Sequence, residues 1–270
     1  MSIPDISERP LGELVSLTGR HAVVTGGSMG IGYAIARRLA EAGASVLIGD
    51  IADAEQPARR IADEFGATVI GSHLDVSDAA SIAACAEHAE RQLGGLDIWV
   101  NNAGIYPSKP FLELTEHDWD RVHDVNLRGS FIGARESAAR MVRSGHGGVI
   151  LNLASTAGIR AGGPGLAHYS ASKQAVIGLT KSLAVELGPH DIRVLAIAPT
   201  LVETPGTAAG QEAFRKAGLA DIIAAHGQRL PLGRLAVPDD IARVALFCVS
   251  DLAMFMTGST VLADGGDVAL

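Results

Sequence analysis

Apolar residues along this chain fall into two alternating kinds of run. Short, β-branched stretches at residues 22–25, 45–49, 68–73, 97–101, 148–154, 193–198 and 259–263 are apolar at successive central positions, not at every second one. Between them lie longer amphipathic or alanine-rich stretches at 32–42, 81–93, 118–144, 170–187 and 239–249. Strands that are apolar on both faces and separated by helices predict a parallel sheet covered by helices on each side. Seven strands favour an open, doubly wound α/β sheet over an eight-fold barrel. No internal repeat or low-complexity linker divides the pattern. It therefore predicts one α/β domain over 19–270, preceded by an arm at 1–18 that carries Pro4 and Pro10. Residues 201–230 interrupt the alternation after the sixth strand, where a helical lid over a substrate would fit.

Composition narrows the choice of function. The 270 residues carry 22 basic and 30 acidic side chains, a net charge of −8, with no basic cluster longer than Arg37-Arg38 or Arg59-Arg60. Nucleic-acid binding calls for a concentrated positive field, which this charge pattern lacks. No apolar run approaches the roughly 20 residues that span a bilayer, and the opening MSIPDISERP has neither a basic nor an apolar signal region. Cys85 and Cys248 are far apart in apolar helical stretches and read as buried thiols. A soluble, cytoplasmic protein is the expectation. The nine histidines form no HxH or HxxxH pair, so no metal is expected.

Straight after the first strand comes Thr25-Gly26-Gly27-Ser28-Met29-Gly30-Ile31-Gly32, opening a helix. Glycines there permit a tight turn that brings backbone N–H groups and the positive helix end to a pyrophosphate. The competing reading is a strand–helix turn that needs glycine only for packing. Asp50 ends the second strand and suits the hydroxyls of an adenosine ribose. Its charge would repel a 2′-phosphate, and Ser28, Met29, Ile51 and Ala52 offer no cation to offset it, so NAD is expected over NADP. Asp50 could equally cap a helix over 52–65.

Tyr169 and Lys173 stand at i and i+4, on one face if their segment is helical. A neighbouring cation favours phenolate and would draw the tyrosine toward acid–base use; the bland reading is a surface contact. Ser155 ends the fifth strand, on the edge where open parallel sheets hold ligands. Asn126 is polar within an apolar helical stretch.

Taken together, these residues resemble the short-chain dehydrogenase/reductase family, and the likeness covers residues 17–266. It rests on Thr25 to Gly32, Asp50, Asp75-Val76, the NNAG run ending at Gly104, Asn126, Ser155, Tyr169 with Lys173, Pro199 to Thr204, Thr257-Gly258 and Asp264-Gly265-Gly266. The resemblance implies Tyr169 as catalytic acid/base and Ser155 as the hydroxyl that polarises the substrate oxygen. It implies Lys173 on the nicotinamide ribose, lowering the tyrosine pKa, and Asn126 holding a relay water. Cofactor contacts are implied for Gly26, Ser28, Met29, Gly30, Ile31, Gly32, Asp50 and Ile51. Others fall on Asp75, Val76, Asn102, Ala103, Gly104, Tyr169, Lys173, Pro199, Thr200, Val202 and Thr204. Thr200 departs from the family, which usually has glycine there.

The implied activity is reversible hydride transfer between NAD and a secondary alcohol or ketone: cyclic, aliphatic, or a sugar or polyol. Substrate contacts are expected from Ser155, Ala157, Tyr169 and His168, the last equally readable as a packed helix residue. Further walls are sought in Ile159, Arg160, Pro164, Leu166, Leu201, Val202, Glu203, Gln211, Phe214, Leu219, Ile222 and Ile223. The alternatives are an NADPH-type 3-oxoacyl thioester ketoreductase and a non-catalytic dinucleotide-sensing scaffold. A homotetramer or dimer is implied, with the tail from Gly266 to Leu270 either buried against a neighbour or frayed.

Overall fold

The computed structural model describes residues 5–204 and 220–270, with side chains from 225 onward in the second segment. Its elements alternate as the apolar pattern predicts: β1 His21–Thr25, α2 Gly30–Glu41, β2 Ser45–Asp50, α3 Glu55–Phe65, β3 Val69–His73, α4 Ala79–Leu93 and β4 Ile98–Asn101. There follow α5 Glu116–His123, α6 Gly129–Ser144, β5 Gly148–Leu153, α7 Ala167–Leu187, β6 Ile192–Pro199, α8 Ala220–Arg229, α9 Pro238–Val249 and β7 Thr260–Ala263. A short α1, Leu11–Val15, precedes them. Leu17 is already part of the core, so the packed body begins within the stretch read as an arm.

All seven strands are parallel, in the order β3-β2-β1-β4-β5-β6-β7. The chain order reverses between β1 and β4, and a crevice opens at such a switch point beyond the carboxyl ends of the strands. One apolar layer packs α2, α3 and α9 on the sheet, through Ile35, Leu39, Ile61 and Ile241. The other packs α4 and α6 against the opposite face, through Ile82, Cys85, Ile132 and Met141. This is the doubly wound Rossmann-type sheet expected from the sequence.

The stretch at 118–144 reads as one helix in the sequence, and its backbone is helical throughout, with one irregularity. A capping box at Thr115 and Asp118 starts α5, and a π-helical turn, Asp124–Arg128, separates it from α6. Such turns admit an extra residue and concentrate at functional sites. Asn126 lies at the middle of this one, fully buried.

A buried polar chain fixes α7 to the sheet. Asn101 Nδ2 donates to Asn152 Oδ1 (2.9 Å), Asn152 Nδ2 to Thr180 Oγ1 (2.9 Å), and Thr180 Oγ1 to the Val176 carbonyl. Satisfied buried networks of this kind fix a single arrangement. It sets the register of the helix that carries Tyr169 and Lys173.

Candidate active site

The residues expected to bind cofactor and substrate converge on one cleft of about 850 Å³. It runs across the carboxyl ends of the strands and is lined by Gly26, Ser28 to Gly32, Asp50, Ile51, Asp75, Val76 and Asn102 to Gly104 at one end. Ser155, Ala157, Tyr169, Lys173, Pro199, Thr200, Val202 and Thr204 line the rest.

The glycine turn is built for close approach. Gly26 and Gly30 have positive φ angles of 63° and 58°, a region open to glycine at no steric cost. A Cβ on Gly32 would lie 2.2 Å from the Gly26 carbonyl oxygen, so the helix starts directly on the strand end. Thr25 and Asn102 lock this turn. Asn102 Nδ2 donates to the carbonyls of Thr25 and Gly26, both at 2.9 Å, and Thr25 Oγ1 accepts the N–H groups of Asn102 and Ala103, both at 3.0 Å. Asn102 thus shapes the turn from behind. Thr25 was visible in the sequence as the first residue of the glycine motif, but without this locking role.

No side chain caps α2, whose N-cap is Met29. Its first-turn N–H groups and dipole therefore remain for an anion. Asp50 Oδ2 accepts from Ser28 N (3.0 Å) and Ser28 Oγ (2.6 Å), and Oδ1 from Ala52 N (3.0 Å). Ala54, not Asp50, is the N-cap of α3. Asp75 is held by Ser77 through both its hydroxyl and its N–H, which keeps this carboxyl below the usual range. A positive-ended helix, a cradle closed to side chains and a fixed carboxylate one strand away suit a dinucleotide.

Ser155 follows β5 and its Oγ accepts from Ala157 N (3.1 Å). It also shares a hydrogen bond with the Tyr169 phenol. Burial pushes that phenol above its ordinary pKa, and the bond with Ser155 pulls it back only partly. The Lys173 ammonium lies 5.8 Å over the tyrosine ring and donates to the Leu153 carbonyl (2.6 Å). Lys173 is itself 5% exposed, and burial lowers its pKa to about 8. Tyr106 meets the Tyr169 ring edge-on, with centroids 6.1 Å apart.

Asn126 connects three segments of the site. Its Oδ1 accepts from Ile105 N (2.8 Å), while Nδ2 donates to the Ile105 carbonyl (2.9 Å) and to Ser172 Oγ (3.1 Å). Gly104 must be small here, since a Cβ would stand 3.2 Å from Asn126 Oδ1 and 3.6 Å from Lys173 Nζ.

His168 departs from the expected substrate contact and is instead the packed helix residue of the other reading. It is fully buried, does not line the cleft, and neither ring nitrogen has a partner. Burial lowers its pKa, which favours the neutral ring. One residue before Tyr169 on α7, it points away from the cleft because adjacent helical positions differ by about 100°. The tail also departs: Gly266 to Leu270 is neither frayed nor merely apolar, because Asp264 accepts from the N–H groups of Gly266 and Val268 and turns Asp267 into the cleft. Thr200 answers the family glycine by donating to Asp267 Oδ2 (2.7 Å). Arg160, Leu166 and Leu201 line the cleft, as do Arg121 and His226, which the sequence did not single out. Gln211, Phe214 and Leu219 lie outside the described residues, as do the side chains of Ile222 and Ile223.

Among the described residues no helix is long and apolar enough to cross a membrane, and no three His, Cys, Asp or Glu side chains gather to hold a metal.

Comparison with known proteins agrees with this geometry. The family model described as enoyl-(acyl carrier protein) reductase matches residues 26–267. The chain is 43% identical over 263 residues to 4-formylbenzenesulfonate dehydrogenase of Comamonas testosteroni, covering 93% of this chain and 99% of that protein. It is 37% identical over 254 residues to a 3-oxoacyl-[acyl-carrier-protein] reductase of Aquifex aeolicus, covering 93% and 98%. A solved Beutenbergia cavernae structure, described as an NAD(P) dependent gluconate 5-dehydrogenase with NADP bound at low occupancy, superposes with a TM-score of 0.86 at 38% identity, over 95% of this chain and all of that one. With its parallel sheet, its glycine turn and the Ser155, Tyr169 and Lys173 group, this chain belongs to the short-chain dehydrogenase/reductase family of nicotinamide-dependent oxidoreductases.

Proposed function

We propose that the protein is an NAD-dependent dehydrogenase that interconverts a secondary alcohol and its ketone. The observation that carries this reading is the convergence of Ser155, Tyr169 and Lys173 on the same cleft as the α2 amino end and Asp50. Gly26 to Gly32 and the α2 dipole would hold the pyrophosphate, Asp50 the adenosine ribose, and Asp75 with Val76 the adenine. The nicotinamide, when bound, supplies the carbon that accepts or returns a hydride.

In oxidation, Tyr169 as phenolate takes the hydroxyl proton while hydride leaves the same carbon. Ser155 donates to the oxygen as carbonyl character develops, a preorganised interaction of the kind that contributes most to catalysis. Lys173 supplies positive charge beside the phenolate and binds the nicotinamide ribose. Asn126 keeps Ile105 and α7 in place around this centre and would hold a water through which a proton on Lys173 leaves to solvent.

Ser28 fixes Asp50 by two hydrogen bonds, so the carboxylate cannot swing aside for a 2′-phosphate. That favours NAD. The reductase relative and the NADP-bound neighbour favour the second reading, an NADPH-dependent ketoreductase of acyl thioesters. Initial rates with NAD and NADP, for the wild type and Asp50→Ala, separate the two. NAD preferred at least tenfold, with the gap narrowed in Asp50→Ala, is expected; a wild-type preference for NADP overturns the cofactor assignment.

The assembly is a homotetramer on this reading. Phe131, Val185, Phe255 and Leu262 leave apolar surface exposed on α6, α7 and around the edge strand β7. Cys85 and Cys248 are buried free thiols whose pKa values burial raises to about 12 and about 11, which leaves them unreactive.

A further inference from the structure

Five polar side chains from four segments meet at the substrate end of the cleft: Thr156 and Arg160 from one turn, with Thr200, His226 and Asp267. Asp267 lies at their centre and is 4% exposed. Its Oδ1 accepts from the Arg160 guanidinium and lies 4.0 Å from His226 Nε2; its Oδ2 accepts from Thr200 Oγ1 (2.7 Å) and Thr156 Oγ1 (3.4 Å). Burial would raise its pKa, yet the bonds from Thr200 and Arg160 bring it below the usual range. The carboxylate is ionised with both oxygens engaged, so it accepts no substrate proton. What the cluster offers a ligand is donors.

Those donors belong chiefly to Arg160. One nitrogen is tied to Asp267, while Nη1 reaches only the Ala161 carbonyl at 3.5 Å. The side chain stays 44% exposed, and the residue lines the cleft. A guanidinium held by a buried carboxylate keeps a fixed plane, and its remaining N–H groups form a fork that matches an oxyanion. His226, one-third exposed and facing the same Asp267 oxygen, Oδ1, is a second cationic donor when protonated. Ala157, Leu166, Tyr106 and Leu201 line the cleft with apolar surface.

We propose that Arg160, held in place by Asp267, anchors a carboxylate or sulfonate at the end of the substrate remote from its carbinol. The substrate class is then an alcohol with an apolar body and an acidic far end. This rests on the dehydrogenase reading above for the position of the carbinol. Asp267 is a positioning residue, and Thr200 is the side chain that lets β6 hold it.

The test is calorimetric titration of cyclohexanecarboxylate, which has no carbinol, into the NADH-loaded enzyme, with cyclohexanol as the neutral comparison. Arg160→Gln is expected to weaken carboxylate binding at least tenfold, about 1.4 kcal/mol, while the affinity for cyclohexanol changes less than twofold. Arg160→Lys keeps a cation beside Asp267, guards against a folding defect, and is expected to lose affinity in the same direction. Unchanged carboxylate affinity in both variants, or equal loss for cyclohexanol, overturns the anchor. Failure of the dehydrogenase reading shows separately, as absence of Tyr169-dependent turnover on any alcohol.

Discussion

Burial of Lys173 is a cost the fold carries for the site. Its pKa falls from 10.5 to about 8 on folding. Between those values the unfolded chain holds a proton that the folded chain has released, so stability rises with pH in that window. The penalty, about 3 kcal/mol, applies in full below pH 8 and is gone above 10.5. Measured against Lys173→Met by chemical denaturation, the wild type should gain about that much between pH 8 and 10.5; a flat difference would contradict it. Tyr169 acts in the opposite sense on catalysis. With its pKa raised by burial, oxidation should accelerate as pH rises through the phenol's titration and ketone reduction should slow, readable from kcat/KM profiles in each direction. The sequence made Ser155, Tyr169 and Lys173 legible because few residue types do this chemistry at that spacing. It could not show that the lysine lies over the ring and on the Leu153 carbonyl. Nor could it show that His168 turns away, since both depend on the rotation of α7.

Elements were read well where the apolar period is strong and poorly where a side chain overrides it. All seven strands were legible from their unbroken apolar runs. The π-helical turn between α5 and α6 was not, because the contacts made at its middle, from Asn126 to Ile105 and Ser172, join segments far apart in the sequence. The join of β6 to α9 was equally hidden. Arg193 donates to the carbonyls of Cys248, Val249, Ser250 and Ala253, serving as the C-terminal cap of α9 from a neighbouring strand. Carbonyls at a helix end need such partners, and leaving buried ones unpaired costs about 1–3 kcal/mol each. Arg193→Met should therefore lower the unfolding free energy by about 2–4 kcal/mol, with Tyr169-dependent chemistry retained in the folded fraction. A loss below about 0.5 kcal/mol, the range of ordinary surface changes, would show the cap to be idle.

For the whole molecule, the order β3-β2-β1-β4 makes the crevice, and Asp267 from the last turn helps to line it. Leu17 enters the core near one terminus, and Asp267 enters the cleft at the other. The sequence could place the Gly-Gly turn at 265–266 but not the direction in which it sends Asp267, which depends on Asp264 gathering two N–H groups. The edge strand β7 and the exposed Phe255 and Leu262 lie near that tail. An uncovered edge is a site for pairing with another chain. Sedimentation velocity should give a species of four times the chain mass, and a monomer at micromolar concentration would contradict the assembly.

The central claim is that Tyr169 transfers the proton while hydride passes between NAD and a carbinol carbon. NADH formation followed by absorbance, over a panel of cyclic, aliphatic, polyol and acid-bearing secondary alcohols, tests it most directly when wild type and Tyr169→Phe are run together. The account predicts turnover with NAD on at least one member and a loss of 100-fold or more in the variant, about the contribution of a positioned acid–base group. Equal rates in the two proteins would contradict it.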